Sequence, residues 1–369
     1  MAMIATREEL GSFSRWPEAF AGERKDSRYY EIVNDTLREP AADFRYIVLE
    51  SGAIQPFFVI DQDLLAGSGL AMQSIARAVR RIWPRFLKMR TLMIGCAAGE
   101  GHLADPSAVE ELVATLPQLA KDFRSPLIVM KEFPARYRSS LDPLLRNGFT
   151  RVPSMPMTRV NIAYDNFEDF VATKLSKPTR KSIRRKLRTA DGAEPRIELQ
   201  VVSDVAAYVD EIYPLYLAVY ERSPLHFEKL TKEFLSALGA RMSDKARFFI
   251  WRQGGRAIAF SVCLIHGDTI YDEYLGLDYA VAFDLHLYFY TLRDIINFAI
   301  EQRLQWYVSS ALNYEPKLHL RCDLVPLDLY VAHTSRPINA IMKRVLPLLE
   351  PTRNDPVLHR FPNFREVWS

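Results

Sequence analysis

Residues 246 to 277, ARFFIWRQGGRAIAFSVCLIHGDTIYDEYLGL, hold three β-rich runs split by Gly254-Gly255 and by His266-Gly267-Asp268. Glycine tolerates the positive φ of tight turns, so the stretch reads as an antiparallel meander. Apolar spacing then predicts a helix from about 284 to 302, a strand at LQWYVSS, a short helix near 313 to 320 and a last strand, LVPLDLYV. This order predicts an α/β fold with a mixed sheet.

The first half follows the same coarse plan. Residues 44 to 60, FRYIVLESGAIQPFFVI, read as a hairpin turning at Glu50-Ser51-Gly52. Met72, Ile75, Val79, Ile82 and Phe86 mark a helix over 71 to 90, followed by a strand, TLMIG. A helix near 107 to 122, a strand at PLIVMKEF, a helix near 135 to 147 and a strand at 151 to 163 complete it. At Tyr164-Asp165-Asn166 the pattern resets, because Asp165 or Asn166 can cap a helix with Glu168 and Asp169 in its first turn. Beyond lie a helix at 167 to 189, a strand at 196 to 202, and helices near 204 to 221 and 231 to 242. A chain of 369 residues exceeds one ordinary core, so two domains are expected, 1–164 and 165–369.

Lys and Arg number 48 against 45 for Asp and Glu, and the net charge of +3 argues against a protein built wholesale around a nucleic-acid backbone. Any basic site must be local. The stretch Lys174 to Arg188 is the candidate, with eight basic residues and no acid. Lys177, Arg180 and Arg184 fall on one helical face, either a solvated face or a phosphate-binding one. Cys96, Cys263 and Cys322 are too scattered for a disulfide framework or a cysteine zinc site, which suggests a reducing compartment. No signal-peptide pattern opens the sequence, and no run approaches the roughly 18 apolar residues of a membrane span. A cytoplasmic protein with no membrane span is therefore expected. H-x-x-x-H, H-E-x-x-H and G-x-S-x-G are all absent, which disfavours a metal-dependent hydrolase and a serine or cysteine hydrolase.

Three segments of the second half resemble the double-GNAT acyltransferases, which include the Fem-type peptidyl transferases and the BioF2-like acetyltransferases. The first is Leu175-Ser176-Lys177-Pro178-Thr179-Arg180-Lys181-Ser182-Ile183-Arg184-Arg185-Lys186. The second is Gly254-Gly255-Arg256-Ala257-Ile258-Ala259-Phe260 with Gly267-Asp268-Thr269-Ile270-Tyr271. The third runs from Leu285-His286-Leu287-Tyr288 through Phe298-Ala299-Ile300-Glu301 to Asn313-Tyr314-Glu315-Pro316-Lys317-Leu318-His319-Leu320-Arg321-Cys322. Arg321-Cys322 stands where that family usually has glycine, and no Ser-Pro-Gly precedes the helix at 285. The resemblance implies two tandem GNAT-like domains and transfer of an acyl or aminoacyl group to a small-molecule amine acceptor. The activated carrier would be acyl-CoA, an acyl carrier protein or aminoacyl-tRNA, with no permanently bound cofactor. A Fem-like tRNA-dependent transferase and a non-catalytic GNAT-like binding module are the alternatives.

Such chemistry needs a positioned amine, an acceptor for its proton and a donor for the oxyanion or leaving group. Simple alternation along YDEY would send Asp272 and Tyr274 to one face, where a buried acid could serve as base. His286, with Tyr288 and Tyr290 nearby, opens the following helix. Tyr314 and Lys317 share a helix face and match the family's tyrosine and lysine, while Ser309, Ser310 and Asn313 could hold a carbonyl or an acceptor. A CoA pyrophosphate would want a glycine-rich loop before that helix, yet residues 275 to 284 offer one glycine and two acids. Gly67-Ser68-Gly69 and the glycines at 95, 99 and 101 are further loops, each either a flexible turn or a phosphate cradle.

Overall fold

The computed structural model of the chain describes residues 2–63, 81, 88–223 and 227–369. In chain order they form β1 (Met3–Ala5), α1 (Ser27–Thr36), β2 (Asp43–Val48), β3 (Ile54–Asp63), β4 (Lys88–Ile94), α2 (Val109–Asp122), β5 (Leu127–Pro134), α3 (Asp142–Arg146) and β6 (Thr150–Asn161). There follow α4 (Phe167–Lys174), α5 (Lys177–Asp191), β7 (Ile197–Val202), α6 (Val209–Arg222), α7 (Lys232–Arg241), β8 (Ala246–Gln253) and β9 (Arg256–His266). The chain ends in β10 (Thr269–Leu277), α8 (Leu287–Glu301), β11 (Trp306–Ser309), α9 (Tyr314–His319), β12 (Asp323–His333) and α10 (Arg336–Leu349), before short 3-10 turns. Apart from Arg81 and Lys88–Arg90, the last three of which belong to β4, the helix expected over 71 to 90 lies outside the described residues, as does the Gly67-Ser68-Gly69 loop.

Local chemistry explains most boundaries. Gly52, at φ +83°, turns β2 into β3, and Gly254, Gly255 and Gly267 take positive φ in the meander β8–β9–β10. Asn166 caps α4 by accepting from the Asp169 amide. The single helix expected over 167 to 189 is broken at Leu175-Ser176, both extended. Pro178 is the reason: a continuous helix would need its missing N–H to reach the Lys174 carbonyl.

The chain divides into two units, and neither is continuous in sequence. Unit 1 comprises Met1–Ser154, Pro224–Leu230 and Pro326–Asn354, and unit 2 comprises Met155–Ser223, Thr231–Val325 and Asp355–Ser369. The first crossing thus falls at Ser154/Met155, inside a strand, rather than at the reset near 164. In unit 1 the strand order is β1-β2-β3-β4-β5-β12, with β4 and β5 parallel and the other neighbours antiparallel. In unit 2 it is β7-β8-β9-β10-β11-β6, with β10 and β11 the parallel pair. Each unit therefore builds the same plan: an antiparallel meander, a helical crossover to one parallel strand, and a final antiparallel strand supplied by the other half of the sequence.

Both cores are apolar, but they differ at the end of the parallel pair. In unit 1 that place is filled by a charged network. Glu100 accepts from Arg24 at 2.6 Å, from Lys25 at 2.7 Å and meets His102 at 2.9 Å, and all four side chains are buried. Burial pushes the Glu100 carboxyl up, but Arg24 and Lys25 outweigh it and hold the group well below the usual carboxylate range. The loop Gly95–Gly101 is shaped around this network: a Cβ on Gly99 would sit 2.1 Å from the Lys25 Nζ. Gly99 thus makes room for a lysine of the same unit, while Gly95 and Gly101 pack against each other and the Lys131 carbonyl.

In unit 2, Phe167, Phe170, Ile183, Leu187, Leu287, Ile295 and Ile296 from α4, α5 and α8 join the core with Phe249, Trp251, Cys263 and Ile270 of the sheet. On the other face α6 approaches so closely that a Cβ on Gly276 would lie 2.7 Å from the Leu215 carbonyl carbon and 2.2 Å from the Phe260 ring.

Candidate functional site

The site begins with an irregularity in β10. Asp272 pairs with Cys263 of β9, but Tyr274 pairs with Val262, so Glu273 is an extra residue and the strand carries a bulge. A bulge reverses the alternation beyond it. Asp272 faces the α8 side, whereas Tyr274 turns to α6, its ring 6.5 Å from Tyr216. The expectation that Asp272 and Tyr274 share a face is therefore corrected.

Directly opposite residues of neighbouring strands point the same way, so Thr158 on β6, Ser309 on β11, Asp272 on β10 and Cys263 on β9 form one row across the sheet. Strand β11 ends at Ser309 while β10 continues to Leu277, and the parallel pair parts just past Asp272. There Asp272 is half-buried. Its Oδ1 accepts from Ser261 Oγ at 2.5 Å and its Oδ2 from the Tyr307 hydroxyl at 2.7 Å. Cys263 Sγ also lies 3.9 Å from Oδ1, so it is Oδ2, with one donor, that keeps a lone pair for a further N–H or O–H. Burial raises the carboxyl pKa, and the bonds from Ser261 and Tyr307 and the charge of Lys317 pull it down without cancelling the rise. At the β6 end of the row, the buried Thr158 hydroxyl has no hydrogen-bond partner in the structure.

Lys317 is buried on α9 and donates to the Ser310 carbonyl at 2.5 Å and the Leu312 carbonyl at 2.7 Å. Burial lowers its pKa to about 8, against the opposing pull of Cys322 and Asp272. The turn it clamps is strained, since Leu312 and Asn313 take φ of +71° and +49°. Asn313 is hydrogen-bonded to the Tyr288 hydroxyl, which also feels the Asp272 charge and titrates far above its ordinary range through burial. Tyr314 instead donates to the Pro156 carbonyl at 2.8 Å and fixes α9 against β6. Burial drives the Cys263 thiol well above 9 and Cys322 up to about 12, so both stay protonated at neutral pH and neither is a ready nucleophile.

The structure thus gathers Asp272, Ser309, Ser310, Asn313 and Lys317, with Tyr314 as their support. Ser261, Tyr307 and Thr158 join them and were not singled out from sequence; only strand register reveals them. His286 stands apart, half-buried at the left-handed N-cap of α8, and burial and then Lys186 and Arg185 lower its pKa. Arg180 donates to the Ala172 and Leu175 carbonyls and Arg184 pairs with Glu168, so both brace the corner between α4 and α5. Lys177 is exposed, and the exposed cations of α5 form a different row: Lys177, Lys181, Arg185 and Arg188.

The loop between β10 and α8 is folded on itself. The Ala280 amide donates to the Asp278 carboxylate, those of Val281 and Ala282 to the Asp278 carbonyl, and those of Leu285, His286 and Leu287 to Val281, Phe283 and Ala282. At Arg321, where glycine is usual in the family, the residue takes φ +59° and the Arg321 and Cys322 amides close α9 onto Leu318 and Lys317.

Sheet order and a bulged strand parting from a parallel neighbour define the GNAT fold. Residues 177–315 match the family model for the acetyltransferase (GNAT) domain. No curated protein matches the sequence. Among solved structures the chain is similar to L-PGS from Bacillus licheniformis, with 11% identity over 93% of this chain and 97% of that one at a TM-score of 0.53. It is similar to FemX, at 9% identity over 93% of this chain and 100% of that one, TM-score 0.53. A C-terminal domain assigned to a lysylphosphatidylglycerol synthetase of Agrobacterium fabrum is a third, at 12% identity over 86% and 94%, TM-score 0.52. At such identities these likenesses speak for the fold. Among the described residues no helix is long and apolar enough to cross a membrane, and no group of His, Cys, Asp and Glu is arranged to hold a metal.

Proposed function

We propose that the Asp272 cluster transfers an acyl or aminoacyl group from an activated carrier to an amine, with Asp272 as general base. The half-buried carboxylate at the fork of β10 and β11, its pKa raised, carries this reading. The amine nitrogen attacks the carrier's ester or thioester carbonyl, and its proton passes to Asp272. The resulting oxyanion is met by the hydroxyls of Ser309, Thr158 or Tyr288 and by the positive field of Lys317. Collapse expels the carrier's alcohol or thiol, which takes up a proton. Asp272→Asn, assayed by mass spectrometry for acyl transfer to a panel of amines, should lower kcat by about 10²–10⁴; an unchanged kcat removes Asp272 from this role.

A polyanionic carrier such as aminoacyl-tRNA is favoured over CoA held in the usual way. Six amides at the entry to α8, those of Ala280, Val281, Ala282, Leu285, His286 and Leu287, are bonded within the loop rather than free to cradle a pyrophosphate. The row Lys177, Lys181, Arg185 and Arg188 instead offers four exposed cations along one helix face. Activity driven by charged tRNA should then be abolished by ribonuclease and fall steeply with salt. Saturable turnover of acyl-CoA with neither sensitivity would return the carrier to CoA.

A further inference from the structure

Helix α10 begins with Pro337 in its first turn and is held to unit 1 by Asn339, whose Oδ1 accepts from the His333 amide and whose Nδ2 donates to the Gly148 carbonyl, both at 2.9 Å. None of its described side chains is buried, and Asn339, Met342 and Leu346 are half-buried. Ile338, Ile341, Val345 and Leu348 are 43%, 60%, 39% and 64% exposed. At 100° per residue these four fall within an arc of roughly 80°, a continuous aliphatic stripe distinct from the attached face. From Thr334 to Leu349 the sequence holds Arg336, Lys343 and Arg344 and no acid.

We propose that α10 lies on an anionic lipid surface, its aliphatic stripe in the acyl boundary and its cations among the headgroups. Branched aliphatics on one face, with Arg344 flanking them, Arg336 and Lys343 on the opposite polar face and no acid on the helix, suit an amphipathic helix lying in the plane of a bilayer interface.

The full chain should co-sediment with phosphatidylglycerol-rich vesicles about tenfold more than with phosphatidylcholine vesicles. Ile341→Asp combined with Leu348→Asp, and separately Lys343→Glu with Arg344→Glu, should each cut that binding by about tenfold. Circular dichroism and transferase activity should not change, since none of these residues belongs to the Asp272 cluster. Absence of vesicle binding, equal binding to both vesicle types, or variants that bind as the parent does would overturn the proposal. So would a concentration-dependent dimer in light scattering that Ile341→Asp dissolves, since the occupant would then be a second copy.

Discussion

Asp272 is a place where stability and chemistry pull apart. Burial raises its pKa above the unfolded value, so the folded state favours the protonated carboxyl. That contribution is fully present below the unfolded pKa, near 3.8, and is lost as pH rises through the folded one. At neutral pH the ionised group is therefore a burden on the fold, and Asp272→Asn should leave the melting temperature unchanged or raised while activity collapses. A fall in melting temperature matching the loss of activity would make Asp272 structural. Lys317 behaves in the mirrored way. With its pKa lowered to about 8, the ammonium loses its proton in the alkaline range, and kcat should decline above about pH 8 as the field on the oxyanion weakens. Lys317→Arg should move that limb upward by more than a unit; a limb that stays near pH 8 in the variant belongs to another group.

At the scale of elements, the helix ends are legible as physics but not as pattern. Arg321 occupies the left-handed position of a C-terminal closure, as do Arg124 after α2 and Arg303 after α8, each with the following amide reaching back into its helix. Glycine is the ordinary residue there because it has no Cβ to strain. Arginine gains something from the negative end of the helix dipole. Arg321→Gly should still stabilise the fold by about 0.5–1 kcal/mol in urea titration, with kcat little changed because the backbone path is preserved. Gly276 tests the opposite case. A methyl there meets the Leu215 backbone and the Phe260 ring, so Gly276→Ala should destabilise by about 1–3 kcal/mol through displacement of α6. The bulge at Glu273 belongs here too: one extra residue decides that Asp272 and not Tyr274 shares a face with Ser261, and nothing in YDEY announces it.

For the molecule as a whole, the duplicated plan does not mean duplicated function. At the end of its parallel strands unit 2 exposes a carboxylate, whereas unit 1 fills the corresponding place with Arg24, Lys25, Glu100 and His102, all buried. Glu100 titrates below its unfolded value, so its contribution is present at neutral pH and lost as pH falls from about 4.5 through the folded pKa. Glu100→Gln removes the buried carboxylate that Arg24 and Lys25 share and should destabilise unit 1 by about 3–5 kcal/mol at pH 7, with a smaller penalty in acid. Denaturant titrations at both pH values measure this, and a cost independent of pH would mean that the ion network is not its source.

Most elements could be read from the sequence because their causes are local: Gly52 and Gly254-Gly255 set turns, Asn166 caps a helix, and apolar spacing marks the strands and helices of the second half. Those local signals also gave the GNAT-like order and brought Asp272, Ser309 and Lys317 into view. Tertiary structure alone decided the rest, because it depends on pairing between distant residues. Register placed Ser261, Tyr307 and Thr158 around Asp272, each many positions away in sequence. A strand from each half completes the other unit, which no local composition signals. The corner at Pro178 turned Arg180 and Arg184 inward to the Ala172 and Leu175 carbonyls and to Glu168, and left Lys181, Arg185 and Arg188 with Lys177 as the exposed basic face. A sequence specifies which side chains are available; which of them meet depends on contacts that form only when separated segments are packed against one another.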